Sequence, residues 1–332
     1  MTKRIAIVGA GSWGTALAVI AARAGHEVML WSRDPEIAAS VNERRINCRY
    51  LSEISIPDRV NATTDIDSAL DEASLVLLAA PSHAARELLT AMTPALDDDA
   101  IIVSVSKGIE IDTGKRISEI VKEVAGGARA FVCLSGPSFA KEVVEGQPTA
   151  IVAASKDPAA ARTVQADFSF ENLRIYTNAD VIGTELGGSV KNVMAIAAGM
   201  TTGLGLGSNS VAALITRGLA EITRLARREG AHTETLMGLA GLGDLVLTCT
   251  GSLSRNRYFG EQLGKGIPPD VIAANMTEVA EGVKTTKAVK HLADRAGLEM
   301  PITNEVHAVL YEDKSVQSAV TELMSRPLRE EI

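Results

Sequence analysis

The sequence predicts an α/β protein, with a doubly wound, mostly parallel sheet followed by an all-α C-terminal domain. The first third alternates β-branched apolar runs with amphipathic stretches, the pattern of a parallel sheet covered by helices on both faces. After about Asn178 the strand signals stop and helix follows helix. The 332 residues are 46% apolar and 22% charged, enough for two domains with a large core and too apolar for disorder.

In chain order, strands are expected at 4–8, 27–31, 75–79, 101–105 and 131–134. Two more, at 149–154 and 173–176, flank a short helix beginning near Asp157 and extend the same sheet. Caps mark helix starts: Asp34 precedes Pro35, and Asp112 lies ahead of the run 117–121. The most apolar later stretch, 190–206, carries Lys191 and Asn192 near its start and three late glycines, so it reads as a buried helix, not a membrane span. Loops at 203–207, 241–243 and 264–269 separate the later helices. The change of periodicity places a first domain over 1–180 and a helical domain over 181–332. No long Pro/Gly/Ser linker divides them, which predicts a packed interface of the kind where ligand clefts form.

Composition narrows the function. Aromatics amount to 3%, which argues against base-stacking nucleic-acid platforms, and a net charge of −8 disfavours phosphate backbones and anionic membranes. An anionic small molecule would need a local basic pocket. Cys48, Cys133 and Cys249 are far apart and form no C-x-x-C pair or Cys/His cluster, so neither a disulfide framework nor a metal site is expected. The short apolar run after the first residues lacks a cleavage pattern, and a cytoplasmic protein is expected.

Gly9-Ala10-Gly11-Ser12-Trp13-Gly14 matches G-x-G-x-x-G after a predicted strand and at the opening of a helix. In that context Gly9 permits the tight turn, Gly11 admits a pyrophosphate to the backbone, and Gly14 lets the helix lie close to the strand. The helix N-terminus then faces the negative charge. The domain is therefore of the Rossmann dinucleotide-binding type. At the end of the second strand, where an acid favours NADH and an arginine accommodates the 2′-phosphate of NADPH, the chain has Ser32-Arg33-Asp34. Asp34 before Pro35 is better suited to cap a helix, so Arg33 leaves both coenzymes possible with NADPH preferred.

Carbonyl reduction by a nicotinamide also needs a proton donor. The five histidines, His26, His83, His232, His291 and His307, stand in ordinary contexts with no orienting carboxylate. Lysine is the alternative: Gly187-Gly188-Ser189-Val190-Lys191-Asn192 sets Lys191 in an apolar helix, where it must be paired, snorkelling or functional. A second cation such as Lys107 nearby would ease its proton exchange. The glycines before it would let substrate or coenzyme approach closely. Ser106-Lys107-Gly108 and Gly136-Pro137-Ser138 each follow a strand, where α/β ligands bind, with Ser138 a candidate helix cap. Ser254-Arg255-Asn256-Arg257 opens a helix and can converge on a phosphate, while Asp244 can hold a hydroxyl or pair with a cation.

With these stretches in order, the chain resembles the NAD(P)-dependent glycerol-3-phosphate dehydrogenase family in its soluble bacterial form. The resemblance spans essentially the whole chain, through Gly9 to Gly14, Ser135-Gly136-Pro137-Ser138-Phe139-Ala140, Lys191-Asn192, Gly241-Leu242-Gly243-Asp244-Leu245, Ser254-Arg255-Asn256-Arg257 and Glu281-Gly282-Val283. It departs from the family pattern at 45–52, with Cys48-Arg49 before Tyr50. The resemblance implies reversible reduction of dihydroxyacetone phosphate by NAD(P)H to sn-glycerol 3-phosphate for phospholipid synthesis, without a metal. It implies Lys191 as proton donor and acceptor, with Lys107, Gly136, Ser138, Asp244, Ser254, Arg255 and Asn256 around the substrate. Ser12, Trp13, Arg33, Tyr50, Lys107, Ala140, Arg255, Val279 and Glu281 are implied as coenzyme contacts, beside the turn glycines. The Ala- and Gly-rich helices make a homodimer the expected assembly, with no nucleic-acid or membrane partner. The rivals are a lysine-dependent hydroxyacid dehydrogenase acting on carboxylates and a dinucleotide-binding redox sensor without turnover.

Overall fold

The computed structural model describes residues 2–127, 129–276, 280–328 and 330. It contains one sheet built from β1 (Arg4–Val8), β2 (Glu27–Trp31), β3 (Val60–Thr63), β4 (Leu75–Leu78), β5 (Ile101–Ser104), β6 (Phe131–Ser135), β7 (Thr149–Ala154) and β8 (Leu173–Asn178). Their order is β3-β2-β1-β4-β5-β6-β7-β8, and every neighbouring pair is parallel except β6 with β7. This is the doubly wound Rossmann-type sheet the sequence predicts, with one further strand. β3 escapes sequence reasoning because it is a short edge strand in which only Val60 and Ala62 are buried. The strand order reverses between β1 and β4, and sheets of this kind bind ligands outside the carboxyl ends of the strands at that point.

The helices of the first half are α1 (Ser12–Arg23), α2 (Pro35–Arg44), α3 (Ile66–Leu70), α4 (Ala85–Met92), α5 (Ile117–Val124), α6 (Ala140–Val144) and α7 (Pro158–Phe168). Successive residues of β1 enter opposite cores. Ile5 and Ile7 join α1, Ile37 and Val41 of α2, Val143, and Val164 and Phe168 of α7. Ala6 and Val8 join Leu70, Leu89, Met92, Ile117 and Ile120 on the other face. Full burial stabilises each large aliphatic side chain by about 1.5 to 3 kcal/mol, and burial on both faces explains the unbroken apolar runs. Asp34 caps α2, accepting from the Glu36 N–H at 3.0 Å, and Asp157 caps α7, accepting from the Ala159 N–H at 2.8 Å. Asp112 does not cap α5: that helix begins at Ile117, and Glu119 Oε2 accepts instead from the Arg116 N–H at 2.9 Å.

The second half holds α8 (Val181–Gly203), α9 (Ser208–Arg228), α10 (Thr233–Met237), α11 (Asp244–Thr250), α12 (Arg255–Gly264), α13 (Pro269–Ala274), α14 (Glu281–Ala296), α15 (Pro301–Tyr311) and α16 (Val316–Ser325). Residues 241–243 are not an open loop but part of a π-helical turn, Leu239–Gly243, leading straight into α11. The chain forms two compact units, one of 1–107 with 115–185 and one of 108–114 with 186–332, so the division falls inside α8. Within the second unit, α8 and α12 meet backbone to backbone: a Cβ on Gly199 would strike the Arg257 carbonyl, and one on Gly264 would lie 2.5 Å from that of Met200. Gly199 and Gly203 of the apolar run therefore serve internal packing, whereas a Cβ on Gly205, at φ +74°, would meet nothing within 4 Å. Among the described residues no helix is long and apolar enough to cross a membrane.

Candidate active site

In the first unit the glycine turn joins β1 to α1. Gly9 has φ +122°, and a Cβ there would collide with the Ala79 carbonyl just past β4. Gly14 would collide with the Gly9 carbonyl, so any side chain would push the helix off the strand. Around Gly11 a Cβ meets nothing within 4 Å. Two glycines are thus fixed by protein packing and the third faces open space, as the approach of a pyrophosphate requires. No side chain caps α1, and its first turn holds no acid, so its N-terminus suits a dinucleotide's negative charge. Trp13 and Ala140 pack half-buried against the same core.

Arg33 is exposed just beyond β2. Asp34 is engaged as a cap and also pairs with Arg49 at 3.0 Å, while Arg49 reaches Glu36 at 3.1 Å. The Glu36 hydrogen bond and the Asp34 charge push the Arg49 guanidinium up from its already high value. Asp34 is thereby tied up as helix cap and ion-pair partner, while the adjacent Arg33 remains exposed. Tyr50 is half-buried and donates its backbone N–H to Asn47 Oδ1 at 3.1 Å. Asn47, which sequence reasoning missed, is fully buried and also donates to the Ala10 carbonyl at 2.9 Å. Its only signal in the sequence is a polar residue in a turn.

At the carboxyl ends of β5 and β6, Lys107 Nζ donates to the Gly136 carbonyl at 3.0 Å, and Ser138 Oγ donates to the same oxygen at 2.9 Å. Ser138 therefore does not cap α6, whose N-cap is Phe139. Gly136 has φ +139°, and a Cβ would lie 2.9 Å from Ile151 Cα. Only glycine turns the carbonyl towards both donors without strain.

In the second unit Lys191 is 5% exposed and Asp244 1%. The Lys191 ammonium donates to Asp244 Oδ1 and, at 2.7 Å, to Thr248 Oγ1, which itself donates to the Asp244 carbonyl at 2.6 Å. Of the readings the sequence left open for Lys191, the structure shows pairing, which compensates the desolvation of a buried ammonium. Gly187 serves this arrangement: a Cβ there would lie 2.5 Å from the Ala240 carbonyl, so the glycine admits the π-helical turn that presents Asp244, not a ligand. Burial pushes the neighbouring Cys249 thiol up to about 12, against the pull of the Lys191 charge, which leaves it unreactive.

Asn192, next to Lys191, accepts from Asn256 Nδ2 at 3.0 Å, and Asn256 Oδ1 accepts from the Gly282 N–H at 2.9 Å. The starts of α12 and α14 are thus fastened to the helix that carries Lys191. Ser254 caps α12, accepting from the Arg257 N–H at 3.2 Å, and Arg255 is exposed in its first turn. Glu281 opens α14, whereas Val279 lies outside the described residues. One unit therefore combines a buried ammonium held by a carboxylate with a helix start carrying an exposed arginine. Among the described residues no cluster of His, Cys, Asp and Glu could hold a metal ion.

Comparison with known proteins agrees along the chain. Family models described as NAD-dependent glycerol-3-phosphate dehydrogenase N-terminus and C-terminus match residues 4–161 and 180–321. The chain is 54% identical over 334 residues to the glycerol-3-phosphate dehydrogenase (NAD(P)+) of Koribacter versatilis, covering 99% of each. It is 50% identical over 333 residues to that of Citrifermentans bemidjiense, covering 100% of this chain and 99% of the relative. The crystal structure of glycerol-3-phosphate dehydrogenase from Coxiella burnetii matches with a TM-score of 0.95 at 42% identity, covering 98% of this chain and 99% of that one.

Proposed function

The chain belongs to the NAD-dependent glycerol-3-phosphate dehydrogenase family, and on that premise we propose that it reversibly reduces dihydroxyacetone phosphate to sn-glycerol 3-phosphate for phospholipid synthesis. NADPH is the preferred coenzyme in this reading and NADH the alternative, because Arg33 is exposed beyond β2 while Asp34 is committed to a cap and an ion pair. The observation that carries the proposal is the Asn192–Asn256 hydrogen bond, which joins the helix of the buried Lys191 to a helix start fit for a phosphate.

Each group of the substrate has a partner. The phosphate dianion takes the N-terminus of α12 with the Arg255 fork, and Ser254 and Asn256 keep that turn in shape. Fixing the phosphate also fixes C2, and such orientation lowers a barrier by roughly 7 to 11 kcal/mol at best. When bound, the dihydronicotinamide supplies the hydride that C2 accepts. Lys191 Nζ gives its proton to the C2 oxygen as the carbonyl pair becomes a hydroxyl, and the resulting amine takes a proton back from solvent. In the reverse direction the neutral amine removes the hydroxyl proton. Asp244 and Thr248 hold the Lys191 side chain in place. Lys107, Gly136 and Ser138 are assigned to the substrate, and Ser12, Trp13, Tyr50, Ala140, Val279 and Glu281, with Lys107 and Arg255 shared, to the coenzyme, on the family resemblance. A homodimer in the cytoplasm completes the proposal, the setting supported by three free cysteines.

The test is oxidation of NADPH and of NADH with dihydroxyacetone phosphate against a panel of ketones and keto acids. Turnover with the phosphate ester well above that with any unphosphorylated ketone is expected, faster with NADPH. Equal turnover with a simple keto acid would contradict the substrate assignment.

A further inference from the structure

Asn47 takes no part in the chemistry described above, yet it is fully buried beside the glycine turn. Its Nδ2 donates to the Ala10 carbonyl at 2.9 Å and to Thr15 Oγ1 at 2.8 Å. Its Oδ1 accepts from the backbone N–H groups of Arg49 at 3.2 Å and Tyr50 at 3.1 Å. A primary amide offers two donors and one oxygen with two lone pairs, so all four are in use. The partners also fix its orientation, since a carbonyl only accepts and a backbone N–H only donates. A carboxylate would lose the donors, and a hydroxyl would lack the reach.

What it connects gives it meaning. Ala10 lies between Gly9 and Gly11, in the turn whose backbone must meet a pyrophosphate. Arg49 pairs with Asp34 and Glu36 at the end of β2, where the adenosine end of a dinucleotide binds. Ala10 and Asn47 are 37 residues apart in the sequence, and this one side chain links the turn to the Arg49–Tyr50 segment. We propose that Asn47 is a positioning residue for the coenzyme, holding the pyrophosphate turn in register with the Arg49–Tyr50 segment so that both ends of the dinucleotide meet one rigid frame. The inference rests on the coenzyme reading given above.

The experiment compares the parent with Asn47→Ala and Asn47→Asp. The aspartate matches the amide in size and keeps acceptors for Arg49 and Tyr50 but cannot donate to Ala10, so it carries the test if the alanine variant does not fold. Dissociation constants for NADPH and NADH are read by fluorescence on folded protein, with kcat and the KM for dihydroxyacetone phosphate at saturating coenzyme. Coenzyme binding is expected to weaken at least tenfold, while kcat stays within threefold and the substrate KM is unchanged. A merely structural role would lower the melting temperature and leave these constants alone. Folded variants whose binding of both coenzymes weakens by less than tenfold overturn the inference alone. A parent that binds neither coenzyme overturns the coenzyme reading and this inference with it.

Discussion

Replacing Asp244 by Asn and Lys191 by Met, singly and together, measures how far the two charges depend on each other. Their side chains are 1% and 7% exposed, so removing either one leaves the other a buried charge without its opposite charge at that contact. Breaking a buried pair from one side costs about 3 to 5 kcal/mol. The lower end fits both single variants. The amide introduced by Asp244→Asn would keep an oxygen for the ammonium, and in Lys191→Met the Asp244 carboxylate would still lie in the first turn of α11, where the helix end offsets up to about 1 kcal/mol. The two single costs therefore sum to roughly 6 kcal/mol. Removing both charges forfeits only hydrogen bonds, about 2 kcal/mol, which leaves a coupling of about 4 kcal/mol. Urea unfolding followed by far-UV circular dichroism reports all four proteins. Single costs that add within about 0.5 kcal/mol would show the sites to be independent and refute the reasoning.

Arg255→Ala should raise the KM for dihydroxyacetone phosphate about 10- to 100-fold, the loss of a charged hydrogen bond worth about 1.5 to 3 kcal/mol, and leave that for a simple keto acid unchanged; steady-state kinetics with both substrates decides. Gly136→Ala combines a left-handed φ with a 2.9 Å clash against Ile151, so thermal melting should show a loss of about 2 to 6 kcal/mol. Burial pushes the Glu185 carboxyl up from 4.5 despite its bonds to Arg116 and Ser118. The folded state thus holds this proton longer than the unfolded one, and the group's contribution to stability falls as pH rises from 4.5 through its raised value. Denaturation of Glu185→Gln across that range should show its stability relative to the parent rising with pH, and a flat difference would contradict the burial effect.

The central strands were legible because burial on both faces leaves continuous apolar runs, and β3 was not because one of its faces meets solvent. The glycine turn was legible through three glycines in fixed spacing, and the contacts at Gly9 and Gly14 supply the reason for two of them. Lys191 stood out as a charge in an apolar helix, but its partner lies 53 residues on, and the sequence offered Asp244 only as one candidate among several. Gly187 misled: a glycine beside a lysine looks the same whether it admits a ligand or a neighbouring carbonyl. Ser138 and Asp112 misled in a similar way, since a cap is decided by where the first turn starts, and the N-caps fall one residue on, at Phe139, and four residues on, at Arg116. Asn47 was silent because its importance comes from a contact far away in sequence, and no local pattern records that.

Lys191 as the proton donor is tested most directly by a crystal structure with NADP+ and dihydroxyacetone phosphate, a pair that cannot react, in which the distance from Lys191 Nζ to the C2 oxygen is read. Hydrogen-bond contact, about 2.7 to 3.2 Å, is expected, with the phosphate on the first turn of α12. An ammonium still held by Asp244 and Thr248, with the C2 oxygen more than about 5 Å away and so beyond direct proton transfer, would contradict it.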